Sequence, residues 1–240
     1  MNNETILKKV SYLETFQVDD FINQLLSTSD AISVGFLNQH GYNLVVNSPS
    51  IKADFLSLDY ILRDGIGIKL ACKLSKINPG ANLNGTDLIP RIIEQSQAYS
   101  QPVNYLCYGT IEPWLSRGAS KLFKQSPFNC LDGFQNDDDY LEHFRAHLDK
   151  SALNIVVLAM GMPKQERIAK MLTQTIGARV LVICGGAILD FQAQRVSRAP
   201  EFYQKNGLEW VYRLLKEPKR MFSRYVIGIP IFFANVAMKK

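Results

Sequence analysis

An aspartate followed by two glycines, Asp64-Gly65-Ile66-Gly67, is the segment of this sequence best suited to proton transfer. It follows a short apolar stretch, so the carboxylate is predicted to lie at the end of a β-strand. The glycines let a ligand approach the main chain closely. A carboxylate in that position suits a general base. Asp-Gly is also a common turn dipeptide, so an ordinary turn remains the alternative interpretation.

Two other glycine-containing segments suit the binding of a phosphate group. Met160 to Glu166 reads MGMPKQE, a tight turn with Pro163 where a helix is predicted to begin. The free N–H groups of a helix N-terminus favour an anion such as a diphosphate. Cys184 to Phe191 reads CGGAILDF and ends another predicted strand with paired glycines. Plain strand-to-helix connections, with Glu166 interacting with the helix dipole, are the alternative.

Two patterns resemble metal sites, but both favour a structural role. Asp137-Asp138-Asp139 has the Asp-x-Asp spacing with which many sugar transferases bind a divalent ion. It directly precedes a helix-forming run, however, where acidic residues cap the helix. His143 and His147 are spaced to share a metal, yet the sequence places no third ligand beside them. We therefore expect helix caps and solvated side chains here, and no metal or other cofactor.

The elements that must position these segments alternate along the chain. Short apolar strands alternating with amphipathic helices predict a mostly parallel sheet that is covered by helices on both faces. Ligands bind at the carboxyl ends of the strands in such sheets, which would bring the segments above together at one edge. The predicted strands are Ala31 to Leu37, Val103 to Tyr108, Ile155 to Ala159 and Val180 to Cys184, and the predicted helices are Glu112 to Lys124, Asp138 to Asp149 and Pro163 to Thr173.

The composition is that of an ordinary globular domain. Of the 240 residues, 47% are hydrophobic and 20% are charged, which is enough apolar material for one core. The four cysteines are widely spaced and form no C-x-x-C pair, which predicts reduced core residues in a cytoplasmic protein. Residues 1–10 show no signal-peptide pattern, so we expect no export.

The net charge of +5 is concentrated in the segment from Gly207 to Lys240. Tyr225 to Met238 within it reads YVIGIPIFFANVAM, an apolar run too short to span a bilayer and interrupted by Gly228 and Pro230. Such a segment is predicted to bind anionic lipid and to bury apolar side chains at the headgroup boundary. A final helix packed on the core, or a subunit contact, is the alternative. The charged residues counted in the segment are Arg213, Lys216, Lys219, Arg220, Arg224, Lys239 and Lys240 against Glu209 and Glu217.

Eight short motifs between Gly35 and Tyr225 occur in the order typical of one family, which the chain therefore resembles. This is the bacterial inverting glycosyltransferase family that includes the wall teichoic acid N-acetylmannosaminyltransferase and the N-acetylmannosaminuronic acid transferase of enterobacterial common antigen. The motifs are Leu37-Asn38; Asp64-Gly65-Ile66-Gly67; Gly85-Thr86-Asp87-Leu88; Gly161-x-Pro163-Lys164-Gln165-Glu166; Gly185-Gly186 with Asp190-Phe191; Arg198-Ala199-Pro200; Gly207-Leu208-Glu209-Trp210 with Tyr212-Arg213-Leu214; and Glu217-Pro218-x-Arg220 with Arg224-Tyr225.

The resemblance implies a Rossmann-like α/β core, residues 1–206, and a basic amphipathic C-terminal appendage, residues 207–240, that contacts the membrane and completes the active site. It implies metal-independent chemistry. Asp64 would accept the proton of the acceptor hydroxyl as that hydroxyl attacks the anomeric carbon, which inverts its configuration. The expected substrate-binding residues are Asn38, Thr86, Asp87, Gln165, Gly185 and Gly186, together with Arg213, Arg220 and Arg224, which would meet the charge developing on the departing UDP.

The reaction that this resemblance predicts moves a sugar from a UDP-sugar to a polyprenyl-diphosphate-linked saccharide, for a bacterial surface polysaccharide or exopolysaccharide. The expected partners are those two substrates and an anionic membrane surface at the inner face of the cytoplasmic membrane. The sequence leaves open whether the chain forms an oligomer. A nucleotide-sugar-binding protein without turnover is the alternative. A nucleic-acid-binding domain, which the pI of about 8.9 suggests, is disfavoured because the basic residues lie in one tail beside aliphatic ones.

Three positions depart from the family pattern. Phe36 stands two residues before Asn38, where relatives often have threonine, and Arg63 replaces the usual proline before the predicted base. Gln194 replaces the glycine that usually precedes Arg195. These departures bear on the identity of the sugars more than on the reaction.

Overall fold

The computed structural model describes residues 4–174 and 177–238, which are arranged around a parallel sheet of seven strands. Every pair of neighbouring strands is parallel, in the order β1-β3-β2-β7-β6-β4-β5. The strands are β1 Val10–Ser11, β2 Ala31–Leu37, β3 Tyr60–Arg63, β4 Val103–Gly109, β5 Phe128–Leu131, β6 Leu153–Ala159 and β7 Arg179–Cys184.

Helices cover both faces of the sheet, as predicted, and the Rossmann-like α/β fold is confirmed. A 3-10 turn, Thr15–Gln17, and a π-helical turn, Ser223–Ile227, accompany them. The α-helices are α1 Glu4–Lys9, α2 Val18–Leu26, α3 Gln39–Asn47, α4 Pro49–Ser57, α5 Gly65–Leu74, α6 Gly85–Gln97, α7 Trp114–Phe123, α8 Asp137–His147, α9 Lys164–Thr173, α10 Ile188–Gln192, α11 Glu201–Lys205, α12 Glu209–Lys216, α13 Pro218–Phe222 and α14 Gly228–Ala237.

Two hydrophobic clusters form the core, one on each face of the sheet. Buried side chains of α1, α3, α4, α5, α8, α9 and α14 pack on one face. Those of α2, α6, α7 and α10 pack on the other. The four cysteines are free; Cys72, Cys107 and Cys184 are buried, as predicted for core residues, whereas Cys130 is half-buried.

The order of the strands creates a crevice at their carboxyl ends. After β2 the chain places β3 between β2 and the edge strand β1, and the later strands β4 to β7 all lie on the other side of β2. In open parallel sheets such a reversal leaves room for a ligand beyond the strand ends. Asn38, Asp64 and Gly185 directly follow β2, β3 and β7, and therefore lie side by side at this crevice.

The segment after Gly207 packs on α3, and this corrects two expectations about the tail. Pro230 does not interrupt the apolar run, because α14 continues through it from Gly228 to Ala237, directly after the π-helical turn. Phe232, expected to reach lipid, is 1% exposed and contacts Tyr42 edge to face at 5.1 Å between ring centroids. Asn43 Nδ2 donates to the carbonyl of Gly228 at 2.7 Å. One face of α14 is therefore part of the core, as the alternative of a packed helix proposed.

The described residues include many exposed apolar side chains in the tail, among them Phe222, Ile227, Ile231 and Phe233. Lys239 and Lys240, counted with the basic tail, lie outside the described residues, as do residues 1–3. Between 4–174 and 177–238, none of the helices has both the length and the apolar character needed to cross a membrane.

Candidate active site

Two cavities meet at the carboxyl edge of the sheet. The larger, which we call the strand-end cleft, has a volume of about 820 Å³ and lies over the ends of β2, β4, β6 and β7. The smaller, which we call the tail cavity, has a volume of about 360 Å³ and lies between α5 and the residues after Gln204. The residues that line both cavities are Asn38, Asp64, Thr86, Arg213 and Arg224.

Asp64 stands at the junction of the two cavities. It occupies the N-cap position of α5, but its side chain caps no helix N–H group and so remains available. Asn38 Nδ2 donates to Asp64 Oδ2 at 3.3 Å. Burial raises the pKa of the Asp64 carboxyl, against the opposing effects of that hydrogen bond and of the positive charges on Arg213 and Arg224. A carboxylate with increased proton affinity that faces two cavities is well placed to act as a base.

The amide of Asn38 is fixed in orientation by the start of α3. Its Oδ1 accepts hydrogen bonds from the main-chain N–H groups of His40 and Gly41, each at 3.1 Å. This helix cap leaves Nδ2 as the group that faces Asp64. The predicted motif Leu37-Asn38 therefore orients the carboxylate through a side chain whose own position is determined by the helix.

Arg63, where relatives usually have proline, is 4% exposed and extends away from both cavities. Its guanidinium donates to the carbonyl oxygens of Pro79 at 2.8 Å and of Gly80 and Gly65 at 3.1 Å each. Asn82 Oδ1 in the same loop accepts the Gly65 N–H at 2.7 Å. In this chain, therefore, an arginine attaches the loop 79–82 to the turn that carries Asp64.

Gln165 lines the strand-end cleft, but its amide is already engaged. The side chain is 1% exposed; its Oε1 accepts the N–H of Gly186 at 2.9 Å, and its Nε2 donates to Glu166 Oε1 at 2.8 Å. Gly186 has a φ of +59°, in the left-handed region that favours glycine. Gln165 thus holds the Gly185-Gly186 turn in place, and the turn presents its main chain to the cleft.

Glu166 is fully buried, and burial raises its pKa from 4.5 to about 7. Within the described residues its Oε2 has no hydrogen-bond partner. The folded state therefore binds a proton at the Glu166 carboxyl more tightly than the unfolded state does. The stability that this protonated carboxyl contributes is complete below about pH 4.5 and is lost as the pH rises towards about 7.

Replacing Glu166 with Gln should remove most of this pH dependence. The amide keeps the shape and the hydrogen bond from Gln165 but cannot ionise, so at pH 8 the variant should gain up to about 3 kcal/mol relative to the wild type. Urea denaturation of both proteins at pH 5 and pH 8 measures the difference. Equal losses of stability between the two pH values in both proteins would show that Glu166 does not titrate in this range.

The far end of the strand-end cleft is built from Thr110, Asp190 and Arg195. Thr110 Oγ1 donates to Asp190 Oδ1 at 2.7 Å, and Arg195 donates to Thr110 Oγ1 at 2.9 Å. Gln194, the departure next to Arg195, has a φ of +60°. Glycine adopts this conformation without strain, whereas a residue with a β-carbon pays about 1 kcal/mol. The turn that presents Arg195 is therefore formed despite the substitution.

Three arginines of the tail reach the cavities in different ways. Arg213 lies over the ring of Phe191, 5.0 Å from its centroid. Arg224 is half-buried, burial lowers its pKa, and its Nε is buried without a hydrogen-bond partner among the described residues. Arg220 lies at the exposed rim of the strand-end cleft, where its Nε is 2.6 Å from Glu217 Oε2. Arg213 and Arg224, beside Asp64, are thus the cations best placed to meet an anionic ligand.

Thr86 and Asp87 begin α6 but have different surroundings. Thr86 lines both cavities. Asp87, which we expected in the donor pocket, lies outside both, because Arg198 holds its carboxylate at 2.5 Å and Asn84 Nδ2 donates to it at 2.8 Å. Asp87 therefore supports the Arg198 loop beside the cleft.

The two metal-like patterns of the sequence are built into α8. Asp137 is paired with Arg167 at 2.5 Å, and Asp139 Oδ2 accepts the N–H of Asn136 at 2.9 Å in a helix cap. The rings of His143 and His147 stack at 4.2 Å, and Tyr108 contacts His143. Over the ranges that the structure describes, no three or more His, Cys, Asp and Glu side chains cluster as metal ligands would.

Two ionisable residues of the site were not singled out from the sequence. His40 lines the strand-end cleft, and burial, reinforced by the positive charge of Arg224, lowers its pKa to about 4, so it is neutral at physiological pH. Glu209 adds a second carboxylate to the tail cavity, and burial raises its pKa. In the sequence, the features that could have indicated these two site residues were the position of His40 after a predicted strand and that of Glu209 within a family motif.

The fold and the site define a class, that of Rossmann-like α/β proteins whose ligands bind at the carboxyl ends of a parallel sheet. The family model described as "Glycosyl transferase WecG/TagA/CpsF family" matches residues 7–240, so the chain belongs to this family and is a glycosyltransferase. A relative from Bacillus spizizenii, N-acetylglucosaminyldiphosphoundecaprenol N-acetyl-beta-D-mannosaminyltransferase, is 28% identical over 230 residues, which cover 95% of this chain and 84% of the relative.

Proposed function

We propose that this chain is an inverting glycosyltransferase that moves a sugar from a UDP-sugar to a hydroxyl of a polyprenyl-diphosphate-linked saccharide. The observation that carries the proposal is the position of Asp64, which lines both cavities. A donor in one cavity and an acceptor in the other would meet at this carboxylate. The name of the Bacillus relative describes transfer of N-acetylmannosamine to a lipid-diphosphate-linked sugar, which supports this class of substrates.

The donor is assigned to the strand-end cleft. Its volume of about 820 Å³ falls in the range of small-molecule sites, roughly 300 to 1,000 Å³. The main chain of Gly185 and Gly186 would approach the nucleotide, and the diphosphate would lie towards Arg213 and Arg224. These cations would stabilise the negative charge that develops on UDP as the glycosidic bond breaks.

The acceptor is assigned to the tail cavity, whose walls include Ile66, Leu70 and Trp210. An acceptor hydroxyl beside Asp64 would attack the anomeric carbon from the side opposite UDP. Asp64 would accept the hydroxyl proton, a new glycosidic bond would form, and UDP would leave with the electrons of the broken bond. One displacement of this kind inverts the anomeric carbon.

Residues 207–240 are proposed as an appendage that completes the site and contacts the inner face of the cytoplasmic membrane. Arg213 and Arg224 belong to this segment and line both cavities. Exposed basic residues, Lys216 and Lys219, accompany the exposed apolar side chains of the same segment. This combination favours an anionic lipid surface, where a lipid-linked acceptor for bacterial surface polysaccharide synthesis would be found.

The transfer is proposed to need no metal, because arginines can neutralise the diphosphate. EDTA should leave turnover essentially unchanged. The double substitution Asp137→Ala with Asp139→Ala should lower turnover roughly twofold at most, because it removes a helix cap and a surface ion pair. UDP release with and without EDTA measures the effect. Loss of turnover that added manganese restores would overturn metal independence.

A donor screen tests the proposed function itself. Each of a panel of UDP-sugars is incubated with the protein and a synthetic polyprenyl-diphosphate-linked acceptor, and UDP release is measured. At least one donor should give UDP release that depends on the acceptor and that Asp64→Asn lowers roughly a hundredfold or more. If UDP-sugars bind but none of them reacts with any acceptor, the alternative of a nucleotide-sugar-binding protein without turnover is correct.

A further inference from the structure

We propose that α5 is a second membrane-contacting surface, and that α5 and α14 together place the mouth of the tail cavity against an anionic bilayer. The lipid chain of the acceptor would then pass between these two helices from the site into the membrane. This inference rests on the lipid-linked acceptor of the proposed function, and it concerns residues remote from the basic tail in sequence.

One side of α5 carries an exposed apolar stripe. Ile66, Leu70 and Leu74 are spaced four residues apart, so they lie on one helix face, and all three are exposed, Leu74 to 56%. The opposite face, with Ile68, Ala71 and Cys72, is buried in the core. An amphipathic helix of a globular protein normally exposes polar residues at such positions. The stripe therefore indicates a surface that binds something apolar.

The exposed face of α14 is apolar as well. Its exposed residues are Pro230, Ile231, Phe233, Ala234 and Ala237, and its polar side chain, Asn235, is buried against Asn43. Water would therefore contact only apolar side chains along this helix. A helix that is apolar on all sides is usually buried in protein or lipid.

The two apolar surfaces converge on the tail cavity. Ile66 and Leu70 from α5 line it together with Ile229 and Phe233 from the tail. The helices approach closely at Gly67, where an added β-carbon would lie 3.7 Å from Phe232 Cε1. Both apolar surfaces thus border the tail cavity, which reaches Asp64, as an exit for a lipid chain requires.

Charge favours an anionic bilayer over a second copy of this chain. The residues from Gly65 to Lys76 include Lys69, Lys73 and Lys76 but no acidic residue, and all three lysines are exposed. In a symmetric dimer through this face the same lysines would oppose one another, which is unfavourable. Anionic headgroups complement them, each basic residue near the surface adding attraction.

The test substitutes residues of α5 that lie outside both cavities. Leu74→Ser removes apolar contact, and Lys69→Glu with Lys73→Glu reverses charge. Leu74→Met is the control for the first variant. Arg145→Glu with Lys150→Glu is the control for the second. It makes the same change in charge near the amino end of β6, whereas the cavities lie at the carboxyl ends of the strands. Binding is measured by co-sedimentation with phosphatidylglycerol and phosphatidylcholine vesicles, and turnover as UDP release with a short acceptor lacking the lipid.

The charge-reversal variant should bind phosphatidylglycerol vesicles about tenfold or more weakly than its control, and Leu74→Ser should bind several-fold more weakly than Leu74→Met. The wild type should prefer phosphatidylglycerol to phosphatidylcholine. Turnover on the short acceptor should match the wild type in every variant. Because the two readouts are separate, absence of turnover in the wild type would count against the proposed function without altering the binding comparison.

Vesicle binding that is equal in the variants and their controls would overturn the membrane role of α5, even with turnover intact. The same conclusion would follow if light scattering showed a wild-type dimer that Leu74→Ser dissociates while vesicle binding is unchanged. In that case the face would be a contact between copies of this chain.

Discussion

Asp64→Asn should lower turnover by roughly a hundredfold or more, the scale expected for loss of a general base. Asparagine has the same shape and can still contact Asn38, so folding and donor binding should remain largely intact. The carboxylate that would accept the hydroxyl proton is no longer present, so the acceptor hydroxyl would attack without assistance. Turnover is measured as UDP release at saturating substrates, and donor binding by calorimetry.

Asp87→Asn is the matched control for this substitution. Asp87 lies at the same edge of the sheet, but its carboxylate is paired with Arg198 outside both cavities. Its loss should change turnover only a fewfold. Near-normal turnover in Asp64→Asn, or equal losses in the two variants, would remove Asp64 from the mechanism.

The pH dependence of the wild type follows from the same carboxylate. Burial raises the pKa of Asp64 above the 3.8 of an ordinary aspartate, so kcat/KM should fall on the acid side as the free protein becomes protonated. The midpoint of this fall should lie above 3.8.

Arg224→Ala should lower turnover roughly a hundredfold on a short acceptor that lacks the lipid. Arg224 lines both cavities, and its buried Nε has no partner among the described residues, so it is available to a diphosphate. Removing one preorganised donor to developing negative charge typically costs about a hundredfold to a thousandfold in rate. Arg224→Lys should recover part of the loss, because it restores the charge without the planar guanidinium.

Lys219→Ala serves as the control, since Lys219 belongs to the same segment but is exposed outside both cavities. Arg220→Ala should have a smaller effect than Arg224→Ala, because Arg220 is exposed and already paired with Glu217. Thermal melts of each variant establish that the protein is folded. Arg224→Ala and Lys219→Ala proteins with the same turnover would exclude a catalytic contribution from Arg224.

The sheet could be predicted from the sequence wherever a strand is buried on both faces. Ala31 to Leu37 is apolar apart from Ser33, Val180 to Cys184 is apolar throughout, and both are strands within one residue of the predicted limits. β1 has only two residues, and β5 reads FNCL with a polar residue inside it, so neither has a recognisable pattern. Both lie at the edges of the sheet, where side chains need less apolar character.

The site could be predicted as a set of segments but not as a set of contacts. The rule that ligands bind at the carboxyl ends of parallel strands placed Asn38, Asp64 and Gly185 together. It could not reveal that the amide of Gln165 is held between Gly186 and Glu166, because this depends on side-chain geometry. Nor could the rule place Arg224 beside Asp64, because the tail returns to α3 through long-range contacts. In one of them Gln39 Nε2 donates a hydrogen bond to the carbonyl of Arg224, 185 positions away in the sequence.

The tail illustrates the same limit. Its composition predicted an apolar and basic segment, and the exposed side chains of Ile231 and Phe233 agree with that pattern. Composition alone could not distinguish them from Phe232 between them, which packs on Tyr42. Only the direction of α14 against α3 decides which aromatic side chain is available to a membrane.

The anomeric configuration of the product tests the central claim most directly. The donor that reacts in the screen is incubated with the wild type and a lipid-linked acceptor, and the new glycosidic bond is examined by NMR. A single displacement assisted by Asp64 predicts one product, with inverted configuration relative to the UDP-sugar and one UDP released for each bond formed. A product with retained configuration, or release of UDP with hydrolysis and no transfer, would contradict this mechanism.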